Sequence, residues 1–206
     1  NLNDFLGKTL DVLGEEIKSN KVVIKNKLQK SETILFNPAY LESILLNFTS
    51  NAIRYAHPER NPVICYSLKS ENQRKVLEIK DNGLGINLEK HGGKLFGMYK
   101  TFHKHKDARG IGLFITKNQM QIFQCTIDMG VNFCFECKKL ETCGIFNNLA
   151  KGYLEDGVDL RKNLQKIKEG KVKEWLTESQ KKYTCKECNK PLAYSSKCHH
   201  CGAQII

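Results

Sequence analysis

The sequence predicts an α+β protein, in which a two-layer α/β sandwich with a mixed sheet is followed by a small helical, cysteine-rich domain. Helical and strand-like apolar spacings alternate over residues 1–123. The composition changes after Gln124, and eight of the nine cysteines follow that residue. Four of these cysteines form two CxxC pairs within residues 183–204, a pattern typical of a zinc ribbon. We therefore predict two domains, residues 1–123 and residues 124–206.

The sandwich is predicted to begin with a helix over residues 3–20, where apolar side chains recur at helical spacing. Residues 22–24 and 33–36 are predicted to form two strands around a polar turn. Asn37 and Pro38 suit the N-cap and the first position of a second helix. The apolar face of that helix is formed by Leu41, Ile44, Leu45 and Phe48.

Two more strands, a long loop and a third helix follow. The strands are predicted from Pro62 to Leu68 and over residues 75–80. Residues 87–109 contain few apolar side chains, and a loop of that length inside a domain is commonly a functional lid or disordered. Leu95, Phe96 and Phe102 favour a lid, because they offer apolar side chains that can fold onto the site. A third, apolar helix is predicted to follow Gly110 and Gly112.

Two asparagines, Asn47 and Asn51, lie four residues apart on the second predicted helix. Residues at this spacing share a helix face, so both amides should point into one site. The carbonyl oxygen of Asn51 suits a hard cation such as Mg²⁺. Arg54 and Tyr55 follow one turn later and offer a phosphate partner and an aromatic wall.

Two glycine-containing segments come next. Asp81 ends an apolar strand, and Gly83 and Gly85 allow the backbone to turn close to a ligand. Gly110 and Gly112 precede an apolar helix, whose N-terminus presents free N–H groups to anions. Each segment alone is a weak signal, but the three in this order and spacing indicate a nucleotide site.

These motifs resemble the catalytic ATP-binding domain of bacterial sensor histidine kinases, in the GHKL ATPase superfamily. The resemblance covers residues 1–123 and implies a GHKL-type sandwich that binds ATP and Mg²⁺. It places Mg²⁺ on Asn51 and the adenine amino group on Asp81. The residues that it assigns to the nucleotide are Asn47 and Asn51 (N box), Arg54, Tyr55, Asp81, Gly83 and Gly85 (G1 box), Phe96 and Phe102 (F box), Lys100, Arg109, Gly110 and Gly112 (G2 box), and Leu113.

Residue 47 bears on the reaction that the resemblance implies. Hydrolytic GHKL proteins such as gyrase, Hsp90 and the mismatch-repair ATPases carry a glutamate there as general base, and asparagine cannot take a proton. Phosphoryl transfer to a protein is therefore favoured over hydrolysis. The implied partners are a histidine-bearing dimerisation domain and a response regulator. The sequence shows no such acceptor helix, and no residue is assigned a certain catalytic role.

The cysteines of the tail form two groups. The first is expected to hold one structural zinc ion within a closed shell of four sulfurs, Cys185, Cys188, Cys198 and Cys201. With four thiolates present, His199 and His200 are unnecessary as ligands. The second group is either another metal site or a set of buried reduced thiols, and it contains Cys125, Cys134, Cys137 and Cys143.

The sequence after Gln124 leaves open whether the sheet of the first domain is complete. Residues 125–129 alternate and predict a strand, but the Gly-Thr-x-Phe signature of the kinase family is absent. Residues 145–182 are predicted to be helical. The tail resembles small cysteine-rich prokaryotic domains of unknown function, which implies metal binding but no reaction. The joining of the kinase-like domain to this tail is compatible with a natural domain fusion, an engineered or computed chimera, or an artefact of gene assembly.

Bulk properties narrow the class of protein. The net charge is +11, but basic side chains gather in residues 91–109, where a triphosphate would lie, so a nucleic-acid partner is not favoured. No apolar run approaches the ~20 residues of a membrane span, and no secretory signal opens the chain. We expect a cytoplasmic fragment of a longer protein. The alternative function is a metal-binding interaction module that carries a degenerate or artefactually fused kinase fragment.

Overall fold

A computed structural model describes residues 1–71, 74–97, 99–103, 110–155, 157–189, 198 and 201–204. The chain divides into two compact units, Asn1–Phe123 and Gln124–Ile206. None of the helices within the described residues combines the length and apolarity needed to cross a membrane.

Within its described residues, the first unit contains four complete helices, three strands and the first part of a fifth helix. In chain order they are α1 (Leu2–Val12), α2 (Gly14–Ser19), β1 (Val23–Asn26), α3 (Pro38–Arg54), β2 (Val63–Glu71), β3 (Arg74–Asp81), α4 (Leu88–His91) and α5 (Gly112–Met129). A short 3-10 turn over Gly92–Lys94 follows α4. The predicted capping of α3 is confirmed, because the Asn37 side chain accepts a hydrogen bond from the Tyr40 N–H group and Pro38 is the first helical residue.

The described strands form one mixed sheet in the order β1-β2-β3. β1 runs parallel to β2, with Val23 opposite Val63, and β2 runs antiparallel to β3, with Ile64 opposite Asp81. The α+β fold with a mixed sheet is thus confirmed. Residues 33–36 do not form the predicted strand. Ile34 and Phe36 instead pack against a core cluster formed by Leu2, Leu41 and Leu45. The predicted hairpin is therefore absent from these residues, and β1 pairs with β2.

Two other sequence-based predictions of secondary structure are wrong in part. The first helix is divided at Leu13, which leaves helical geometry (φ −95°, ψ 11°) and is buried in the core. Residues 125–129 belong to α5 and are not a strand. The alternation creates no buried face, because Cys125 and Thr126 are half-buried while Ile127 is 52% exposed, and five alternating residues do not outweigh a continuous helical segment.

The core of the first unit lies between the sheet and helices α1 and α3. Tyr66 of β2 is fully buried, and its hydroxyl lies 2.8 Å from the hydroxyl of Thr49 on α3. Burial raises the pKa of Tyr66, although the hydrogen bond to Thr49 acts in the opposite direction. This polar contact fixes α3 on the sheet at a point midway between Asn47 and Asn51.

Over its described residues up to Lys182, the second unit is mainly helical. Two 3-10 turns, Cys134–Glu136 and Leu140–Thr142, precede α6 (Gly144–Glu155), α7 (Leu160–Lys168) and α8 (Val172–Lys182). The predicted helical stretch is therefore interrupted twice, and at both interruptions a glycine adopts a left-handed backbone, Gly157 and Gly170.

Candidate functional site

Helix α3 presents Asn47 and Asn51 on one face. The Asn51 Nδ2 atom donates to the Asn47 Oδ1 atom at 3.1 Å. The Asn47 Nδ2 atom in turn donates to the hydroxyl of Thr116 on α5 at 2.8 Å. The two amides are therefore linked to each other and to the helix that follows the second glycine segment.

The glycines of that second segment lie against these groups. A Cβ atom at Gly112 would come within 2.1 Å of the Asn47 Oδ1 atom, so α5 approaches α3 more closely than any side chain at this position permits. Gly110 has φ of +67°, and a Cβ atom there would lie 2.5 Å from the backbone N and O atoms of Lys100. Arg109, which the family resemblance also assigns to the nucleotide, lies outside the described residues.

The turn after β3 is fastened to the end of α3. The Asp81 carboxylate accepts the N–H group of Gly83 at 2.8 Å, and the Leu84 N–H group donates to the Tyr55 carbonyl at 3.0 Å. The Asn82 side chain accepts from the Val63 N–H group at 2.8 Å. These bonds hold the turn that carries Asp81 against the Tyr55 backbone at the end of α3, while Arg54 is exposed in the last turn of α3.

The described part of the lid folds onto the same region. His103 Nε2 lies 2.7 Å from the Gly85 carbonyl, and the His103 ring lies 5.4 Å from the Tyr55 ring between centroids. Phe102 contacts His91 at 5.3 Å between ring centroids. The Lys117 ammonium lies 5.9 Å from the centre of the Phe96 ring. Both phenylalanines that the sequence predicted as lid residues therefore make ring contacts.

The sequence patterns did not identify Thr116 or His103 as site residues. Thr116 is four residues after Gly112, and this spacing places it on the same face of α5. The spacing could therefore have identified Thr116 as a residue on the same helix face as Gly112, but not its contact with Asn47. Its partner Asn47 is 69 residues earlier, and no local pattern connects the two residues.

The tail contains a second candidate site, formed by four cysteine thiols that all lie within 4.8 Å of one another: Cys185, Cys188, Cys198 and Cys201. The sulfur atoms of Cys185 and Cys201 are 3.7 Å apart, as are those of Cys188 and Cys198. A tetrahedral zinc ion with Zn–S bonds of about 2.3 Å requires sulfur–sulfur distances of about 3.8 Å. The donor set and its spacing thus fit zinc.

The other cysteine group is looser. Burial raises the pKa of both Cys125 and Cys134, and the neighbouring thiols of Cys137 and Cys143 raise it further. The four thiols are therefore close enough to influence one another. In the described part of the chain, however, only the Cys185 group has three or more metal-binding side chains within 4.8 Å.

Comparison with known proteins assigns the family. The family model of the histidine kinase-, DNA gyrase B- and HSP90-like ATPases matches residues 36–141 of the sequence, which is just over half of the chain. The chain therefore belongs to this ATPase family. The matched residues include the paired asparagines, the turn at Asp81 and the Gly110–Gly112 segment. No family model names the cysteine-rich tail.

Curated relatives are sensor kinases. The chain is 24% identical over 115 residues to the sensor protein RprX of Bacteroides fragilis, which covers 54% of this chain and 22% of RprX. It is 23% identical over 145 residues to the circadian input-output histidine kinase CikA of Synechococcus elongatus, covering 64% of this chain and 19% of CikA. The chain thus spans about a fifth of the length of these relatives.

A solved structure shows the same fold. The catalytic domain of the histidine kinase ThkA, in a nucleotide-free form, superposes with a TM-score of 0.51 at 19% identity. The match covers 60% of this chain and 78% of the ThkA domain. The first unit therefore has the fold of a histidine kinase catalytic domain.

Proposed function

We propose that residues 1–123 bind Mg-ATP and transfer its γ-phosphoryl group to a histidine on a separate domain. The observation that carries this proposal is the hydrogen-bonded series from Asn51 through Asn47 to Thr116, with Gly112 directly against Asn47. This series joins Asn51, the predicted Mg²⁺ ligand, to the N-terminus of α5, where free N–H groups suit the phosphates. The family membership and the sensor-kinase relatives support the same reaction.

Each group has a distinct role in this proposal. The Asp81 carboxylate accepts the adenine amino group, and the Tyr55 ring packs beside the base. Asn51 supplies an oxygen to Mg²⁺. Asn47, Arg54, Lys100 and Arg109 meet the phosphates, and the lid residues Phe96 and Phe102 close over them. The protein thereby positions the nucleotide and neutralises its charge, which is the main requirement of phosphoryl transfer.

Hydrolysis is disfavoured by the side chain at position 47. The amide of Asn47 is already engaged with Thr116 and Asn51, and its oxygen is not basic enough to remove a proton from water. A water molecule bound near the phosphates would lack a general base at this position. The proposed acceptor is therefore a protein histidine, and a response regulator is the proposed next recipient.

We further propose that the Cys185 group holds one structural zinc ion. Four thiolates complete the tetrahedral shell and leave no position for water, so the site stabilises the tail and performs no reaction. The Cys125 group is the candidate for a second ion. We place the chain in the cytoplasm, where ATP is supplied and cysteines stay reduced.

Nucleotide binding tests the proposal most directly. Asp81→Asn should weaken the affinity for a fluorescent ATP analogue about tenfold, because an amide can present a donor where adenine requires an acceptor and hydrogen bonds to charged groups are strong. Fluorescence titration with and without Mg²⁺ measures this. Asp11→Asn, at an exposed position on α1, is the matched control and should bind as the unmodified chain does. Equal affinity of the folded Asp81→Asn variant and the control would contradict the adenine assignment and favour the interaction-module alternative.

The isolated chain is expected not to phosphorylate itself on histidine. Efficient transfer requires an acceptor held in line with the γ-phosphate, and we identify no acceptor helix in this sequence. Incubation with γ-labelled ATP, followed by separate acid and alkali treatment, provides the measurement. Acid-labile, base-stable label on this chain alone would refute the expectation and identify one of its six histidines as an acceptor.

A further inference from the structure

Thr116 is a polar residue that is buried on the otherwise more exposed helix α5. Every residue of this helix is described, and Thr116 is its one buried residue, with 2% of its surface exposed. A buried hydroxyl requires a hydrogen-bond partner, because burying an unpaired polar group is costly. Its partner is the Asn47 amide at 2.8 Å. Nearby, the Gln119 Nε2 atom donates to the Ser43 hydroxyl at 3.0 Å, so two polar contacts set the register between α5 and α3.

These contacts determine which way each amide points. The Asn47 Nδ2 atom donates to Thr116, so its Oδ1 atom is turned toward Gly112 and Asn51. The reverse orientation would place an amide NH₂ group against the start of α5, where free backbone N–H groups and the helix dipole favour an oxygen. Asn51 therefore uses its Nδ2 atom to reach Asn47. Among the described residues, no donor bonds to the Asn51 Oδ1 atom.

We propose that Thr116 is a positioning residue that orients both asparagine amides and so keeps the Asn51 oxygen available to Mg²⁺. The inference rests on the proposed function, since it concerns the metal ligand of the same nucleotide site. Without the Thr116 oxygen the Asn47 Nδ2 group loses its acceptor. The two amides can then turn together, and Asn51 presents NH₂ groups to the cation.

The test compares Thr116→Val, which has nearly the same shape but no hydroxyl, with Thr116→Ser, which keeps it. The affinity of each chain for a fluorescent ATP analogue is measured in Mg²⁺ and in EDTA. In Thr116→Val the gain in affinity that Mg²⁺ provides should fall about tenfold, as expected for loss of a buried hydrogen bond, in addition to any loss in EDTA that comes from the phosphate contact of Asn47. Thr116→Ser should retain the full gain.

The outcomes separate this inference from the proposed function. If Thr116→Val keeps the full gain from Mg²⁺, or loses affinity equally in Mg²⁺ and in EDTA, then Thr116 only packs and the inference is wrong. If the unmodified chain binds no nucleotide under either condition, the proposed function itself fails and the inference fails with it. Circular dichroism confirms that each variant is folded before the titrations are compared.

Discussion

Gly112→Ala is expected to weaken nucleotide binding at least about a hundredfold. The new methyl group would lie 2.1 Å from the Asn47 Oδ1 atom and 2.8 Å from its Cγ atom, so either Asn47 or α5 must move. Overpacking of this kind typically costs about 1–3 kcal/mol, and displacing Asn47 also breaks its bonds to Thr116 and Asn51. The loss should appear in titrations with the fluorescent ATP analogue.

A second helical glycine provides the matched control. Gly7 lies within α1, and a Cβ atom there would meet nothing within 4 Å. Gly7→Ala should therefore leave nucleotide affinity unchanged and raise the free energy of unfolding by about 0.5–1 kcal/mol, since alanine loses less backbone entropy in a helix. Wild-type affinity in a folded Gly112→Ala variant would show that Asn47 does not contact the nucleotide.

Loss of the proposed zinc ion is expected to unfold the end of the tail. Cys198 is 2% exposed and its sulfur lies 3.7 Å from that of Cys188, so serine at this position removes a thiolate from the interior of the site. Structural zinc sites bind with about 10–16 kcal/mol, and this binding free energy is also folding free energy because the site does not exist in the unfolded chain. Elemental analysis should find zinc in the unmodified chain and none in Cys198→Ser. Limited proteolysis should then cut the variant after residue 183.

Two further cysteine variants complete this experiment. Cys65→Ser, in β2 of the first unit, removes a half-buried thiol that belongs to neither cysteine group and should retain the full zinc content. Cys134→Ser should lower the content from two ions to one if the Cys125 group binds metal, and should leave it at one if those thiols are only buried. A chain purified without chelator that contains no zinc would refute the zinc assignment.

Features that depend on local spacing could be read from the sequence. An interval of four residues places Asn47 and Asn51 on one helix face in any α-helix, and their amides indeed meet at 3.1 Å. Asn37 and Pro38 likewise predict the start of α3 because capping involves only adjacent residues. The mixed sheet could also be predicted, because the strands follow from short periodic segments and from the family resemblance.

Features that depend on distant contacts could not be read in this way. Residues 33–36 have strand-like composition, but burial of Ile34 and Phe36 against Leu2 and Leu41 overrides that preference. Residues 125–129 alternate, yet their membership of α5 decides their conformation.

The sequence by itself determined the family, the paired asparagines and the two CxxC pairs, because each is encoded by identity and short spacing. Only the tertiary structure decided that Thr116 bonds to Asn47 and that Gly112 lies against the same amide. Those contacts join residues more than 60 positions apart. They arise from the packing of α5 on α3, which depends on the core as a whole and not on either helix alone.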